Sequence, residues 1–242
     1  MNKQTLEKLI VLQDALNEYI TKNWKENRSE LDFMIANHQE MAELIDTKVN
    51  IDGIDHQMGW KWWKGVAGEK TMELVDWDNL HPAVVDNIKI ELTDLLFFTL
   101  SQKVLGDHTD PDEIVQLADN DWVNFMSISA NNLLQRPGAS LMLIIELAKK
   151  IDFNIVAYYC AKLTLNLVRQ NQGYNNGTYQ KVIDGIEDNE LLHDVIKGIT
   201  MEDLEKDFDN IADKIMTNTY KVFGMENSED KFTIKSLREL VS

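Results

Sequence analysis

The chain has 242 residues, enough for one substantial core, and its 44% hydrophobic and 27% charged side chains exclude a disordered polymer. Forty-one acidic against 24 basic residues leave a formal charge of −17, which disfavours nucleic acid and anionic membrane surfaces as partners and favours divalent cations wherever carboxylates converge. Only 11 glycines and three prolines point to helices, and the single cysteine, Cys160 within "VAYYCAKL", excludes an internal disulfide and suits a reducing compartment.

In chain order, Leu6, Leu9, Leu12, Leu16, Tyr19 and Ile20 recur at helical steps and predict an amphipathic helix over 3–22, whose inward stripe also carries Gln13 and Asn17. Ser29 opens a second helix over about 29–49. Residues 50–81 lose periodicity around "WKWWK" and read as loop with short helical pieces. Pro82 and Gly106 bound a long helix over about 82–105, Pro111 opens another to about residue 127, Pro137 precedes a helix to about Lys150, and residues 152–171 continue as helix. After the turn-prone "GYNNGTYQK", residues 188–197 and 200–223 read as helical. No strand alternation or fixed repeat stands out, so the expected architecture is one all-α domain over 1–242 with a mobile helical subregion at about 107–150. The N-terminus lacks the charged, apolar, small-residue order of a signal peptide. The apolar runs "LLFF" and "LMLII" are far below the roughly 18–20 residues of a membrane span, so a cytoplasmic protein is expected.

The chemistry concentrates in two acid pairs. "HQEMAELID" carries Glu40 and Glu43, and "NIKIELTDLLFF" carries Glu91 and Asp94. Each pair is spaced three apart and so shares a helix face. Two such helices packed side by side would bring four carboxylates to one point, where a hard cation such as Mg²⁺ neutralises them and bridges to phosphates. Spacing alone also fits two solvated helix faces, the commoner fate of helix charges. Trp60, Trp63 and Lys64 in "GWKWWKG" suit either a hydrophobic plug or a pocket for a planar ring with lysines near phosphate. Lys162, Asn166 and Arg169 follow helical spacing, with Lys181 beyond the turn, and suit either surface ion pairs or a phosphate grip.

Taken in order, "LQDALN", "QEMAELID", "WKWWK", "NIKIELTDLLFF", "LNLVRQNQGYNNGTYQK" and "GIEDNE" resemble the motifs of the dimeric, all-α dUTPases of kinetoplastids, some bacteria and many phages. The resemblance implies hydrolysis of dUTP, and of dUDP, to dUMP with Mg²⁺, a homodimer, and a phage or bacterial member of the family. It implies metal binding by Glu40, Glu43, Glu91 and Asp94, with Glu43, or alternatively Glu40, activating the attacking water. By the same resemblance Gln13 and Asn17 contact uracil and deoxyribose, Trp60, Trp63 and Lys64 form the aromatic segment, and Lys162, Asn166, Arg169, Tyr174 and Lys181 grip phosphates and nucleoside. The chain departs from the pattern by an insertion within 46–87, by Leu163 where an Asn often follows the lysine, and by Val182 and Ile183 where some members keep a basic residue and a Trp. Two other readings keep a place: the same chemistry on another nucleotide such as dCTP, and a helical protein that acts by binding a protein partner such as a repressor.

Overall fold

Asn2 caps the first helix. Its side-chain oxygen accepts from the Thr5 amide at 2.8 Å, and α1 runs Lys3–Ile20 in the computed structural model, which describes residues 1–57, 80–106 and 137–242. The cluster Trp60, Trp63 and Lys64 and the helix expected from Pro111 lie outside the described residues. The predicted apolar stripe of α1 is its buried face: Thr5, Leu9, Leu12, Gln13, Ala15 and Leu16. A single turn, α2 (Trp24–Asn27), follows and buries Trp24, whose indole N–H donates to Asp14 at 2.9 Å.

The second helix is shorter than its sequence suggests. α3 covers Glu30–Ile45, and the chain then forms a hairpin of β1 (Lys48–Ile51) and β2 (Ile54–Gln57), with Ile51 paired to Ile54. The expectation of loop and helical pieces is corrected there, and the cause is the two-residue turn Asp52-Gly53. Both residues have positive φ, 51° and 82°, as a tight turn between twisted antiparallel strands requires. The same tetrapeptide recurs later: Asp184 and Gly185 have φ of 51° and 85° and join β3 (Val182–Ile183) to β4 (Ile186–Glu187). "IDGI" therefore makes a hairpin twice.

Proline and glycine bound the long helix as expected. α4 runs Pro82–Leu105, and the Gly106 amide donates to Gln102 O at 3.0 Å just beyond its end. α5 spans Pro137–Lys150. α6 spans Ile155–Asn171, capped by Asn154, and all its residues from Ile155 to Arg169 except Asn166 are buried, the signature of a helix enclosed on every side. Cys160 sits in its middle, and burial pushes the thiol up to about 12. A 3₁₀ turn, Tyr174–Asn176, follows Gly173, whose φ is 86° and where a Cβ would collide with the Thr178 hydroxyl. Only one turn of the helix expected over 188–197 forms, as α7 (Leu192–Val195). The helix expected over 200–223 is broken at Asp207, whose backbone is non-helical (φ −149°, ψ 69°), into α8 (Met201–Lys206) and α9 (Phe208–Val222). Near the C-terminus α10 (Ile234–Arg238) is opened by a reciprocal Thr233/Ser236 cap.

The described residues belong to two compact units. The first draws on Met1–Glu30, Leu100–Asp107 and Asn154–Ser242, and the second on Leu31–Thr99 and His108–Phe153. In the first, α6 is the axis, with α1, α7, α8 and α9 packed on it. α10 packs on α1 and α9, where Arg238 donates to both carboxylate oxygens of Asp209 at 2.8 Å and Lys8 adds a third bond at 3.1 Å. These cations, Arg238 foremost, lower the Asp209 carboxyl to about 2. In the second unit α3 and α4 are antiparallel, since the first half of α3 meets the end of α4 and the residues just past α3 meet the beginning of α4. Phe33 faces Phe98 with ring centroids 6.3 Å apart, Thr99 donates to Asn37 at 3.5 Å, and Asn87 reaches Thr47 at 3.2 Å. Among the described residues no helix is long and apolar enough to cross a membrane.

Candidate functional site

Helices α3 and α4 gather three acids. Glu40, Glu91 and Asp94 are each half-buried, and one carboxylate oxygen from each lies within 4.8 Å of the others. The i,i+3 spacing turns Glu91 and Asp94 to one side of α4, and the antiparallel pairing brings Glu40 to them. Asn87, one turn before Glu91, donates to its Oε1 at 3.4 Å.

Glu43 is not among the three. It is exposed and accepts from Gln39 Nε2 at 3.1 Å. Helix geometry explains the split between the two acids of α3. Asn37, Met41 and Leu44 define the buried stripe of α3. At 3.6 residues per turn Glu40 stands roughly 60° from the centre of that stripe and Glu43 roughly 120°. One is carried to the edge of the packed face and the other away from it. The Nδ2 of Asn37, fully buried and one turn before Glu40, has no hydrogen-bond partner among the described residues.

Like charges at this separation repel one another, and a divalent ion bound among them would offset that repulsion. The donor set consists of hard carboxylate oxygens at close spacing, which fits Mg²⁺ or a similar oxygen-seeking cation and offers nothing to a soft metal.

The other expected residues lie in the first unit. Gln13 is buried, 2% exposed, and its Nε2 donates to Asn17 Oδ1 at 2.9 Å. Asn17, half-buried, donates in turn to Ser101 Oγ at 2.9 Å. Lys162 is buried within α6. Arg169 has its fork engaged: Nε and Nη2 bind the two oxygens of Asp188 at 2.9 and 2.7 Å, while Nη1 donates to Asn166 at 3.3 Å. Asp188 is 1% exposed and also accepts from the Tyr179 hydroxyl at 2.9 Å. Burial, then the Asp188 bond, pushes the Tyr179 phenol well up. The ring of Tyr174, 42% exposed, has Arg169 at 5.9 Å and Lys181 at 5.7 Å from its centroid.

Asn166, Arg169, Tyr174 and Lys181 are thus drawn into one cluster. Its organiser, Asp188, escapes the sequence reading, as does Tyr179. The only available signal was that "GIEDNE" follows the basic segment, with nothing to say which acid turns inward.

A family model described as dUTPase matches residues 5–174, a span that contains the three gathered acids, Gln13, Asn17, Lys162, Asn166, Arg169 and Tyr174. No curated protein matches the chain.

Proposed function

The chain belongs to the dUTPase family, and from that premise we propose that it is a Mg²⁺-dependent dUTP diphosphatase that converts dUTP to dUMP and pyrophosphate and also accepts dUDP. The observation that carries the reading is the convergence of Glu40, Glu91 and Asp94 on one small space within a chain that matches this family. Glu40, Glu91 and Asp94 would hold Mg²⁺. When bound there, the ion neutralises substrate phosphates and lowers the pKa of a water.

The chain's own residues divide the remaining work. Glu43, outside the three-acid group and held by Gln39, takes the proton of the attacking water, with Glu40 as the alternative base. Oxygen from that water attacks in line and forms a bond to one phosphorus of the α,β-anhydride as the bond from this phosphorus to the bridging oxygen breaks. The bridging oxygen keeps the electron pair, and dUMP and pyrophosphate separate. Lys162 and Lys181 place positive charge by the phosphates, and Arg169, fixed by Asp188, adds to it. Asn17, with Gln13 behind it, reads the base and sugar.

Pyrophosphate release from dUTP with Mg²⁺, abolished by chelation, is the expected result. The panel dUTP, dCTP, dTTP and dATP then tests the base. Preference for dCTP, or no turnover of any of the four, rejects the reading.

A further inference from the structure

Four side chains of the first unit form a continuous hydrogen-bonded chain with a direction. The Tyr159 hydroxyl donates to Gln13 Oε1 at 3.0 Å, Gln13 Nε2 donates to Asn17 Oδ1 at 2.9 Å, and Asn17 Nδ2 donates to Ser101 Oγ at 2.9 Å. Which way an amide points follows from such a network, and here the polarity is set at the Tyr159 end. That phenol is fully buried, and burial raises its pKa well above the ordinary value, so it keeps its proton and must donate it. The Leu9 carbonyl, at 3.5 Å, is beyond the usual reach of an O–H donor, whereas Gln13 Oε1 is within it. With its oxygen claimed, Gln13 turns its Nε2 to Asn17, and Asn17 accepts on Oδ1 and donates from Nδ2.

Gln13 is almost inaccessible, whereas Asn17 is half-buried. Asn17 is therefore the amide with a lone pair and an N–H left to offer a ligand, and Gln13 stands behind it. We propose that Tyr159 and Gln13 are positioning residues that lock the Asn17 carboxamide in one orientation, and that this orientation selects uracil over cytosine. The chemistry is a matter of polarity. Uracil presents an N3–H donor beside a carbonyl acceptor, and cytosine presents an N3 acceptor beside an amino donor. A carboxamide with its oxygen on N3–H and its nitrogen on the carbonyl fits uracil, and only a flipped one fits cytosine. An amide free to flip accepts both. The inference rests on the dUTP reading above.

The test measures kcat/KM for dUTP and for dCTP with Mg²⁺ on the full chain, alongside a thermal unfolding scan. Tyr159→Phe removes one oxygen and releases the polarity, so the preference for dUTP narrows by about tenfold or more, chiefly through improved use of dCTP. Gln13→Glu goes further. The new carboxylate only accepts, which turns Asn17 Nδ2 toward it and moves the preference beyond that of Tyr159→Phe, toward dCTP. Ser101→Ala, which frees the far end, carries the test if Tyr159→Phe does not fold. An unchanged ratio in folded variants, or an equal fall with both nucleotides, overturns the inference while the dUTP reading stands. An unaltered chain without dUTP turnover overturns that reading, and this inference with it.

Discussion

The two compact units handle charge in opposite ways. In the second, three acids of one sign share a space a few ångströms across. In the first, opposite charges meet: Arg169 is gripped by Asp188, which also accepts from Tyr179. Under the proposed function the acids of the second unit gain by taking up a cation, whereas the Arg169–Asp188 pair of the first already joins opposite charges. The same substitution, carboxylate to amide, should therefore act differently in the two, through Mg²⁺-dependent stability among the acids and through the stability of the fold itself at Asp188.

The sharpest way to break this comparison is Glu43→Gln. Turnover should fall by about 10³-fold, the range of a general base, with folding largely spared. Full activity in that variant removes Glu43 from the mechanism. Next in size is Asp188→Asn, which leaves a buried guanidinium without its counter-charge and should cost about 3 kcal/mol of stability in chemical denaturation. A loss near zero would show the ion pair to be incidental. Then comes Glu91→Gln. With Mg²⁺ it should lose the stabilisation of the unaltered chain, about 2.7 kcal/mol at a hundredfold excess over Kd. Equal Mg²⁺ shifts in both proteins would move the cation elsewhere.

The smallest effect concerns Asp209. Its carboxyl is lowered to about 2 by Arg238 and Lys8, below the ordinary value of about 3.9. A lowered acid contributes stability above its unfolded value and loses it as pH falls from there through about 2. The pair is only part-buried and solvent screens it, so Asp209→Asn should cost under about 1 kcal/mol at neutral pH and nothing well below pH 2. A difference that persists undiminished well below pH 2 contradicts the assignment.

What the sequence discloses follows the range of each interaction. α1, α4 and α5 are legible because their cues are local: apolar periodicity, an opening proline, a closing glycine. The hairpins escape the sequence reading because their strands are too short for alternation to show, and the Asp-Gly turn of "IDGI" at 51–54 and 183–186 is the one local cue to them. The break at Asp207 depends on a single backbone conformation. At the acids, spacing shows that Glu40 and Glu43 share a side of α3, yet it does not show where the packed stripe falls between them. That depends on α4, some fifty positions later. The grip of Asp188 on Arg169 and that of Tyr159 on Gln13 join residues 19 and 146 positions apart, and no local pattern encodes either.

The enclosure of α6 has a practical consequence. With its thiol raised to about 12 and shut inside the helix that carries Lys162 and Arg169, Cys160 is chemically silent while the fold is intact. As the sole sulfhydryl in the chain it becomes a built-in stopwatch: the pace at which an alkylating reagent modifies it reports how often this core opens.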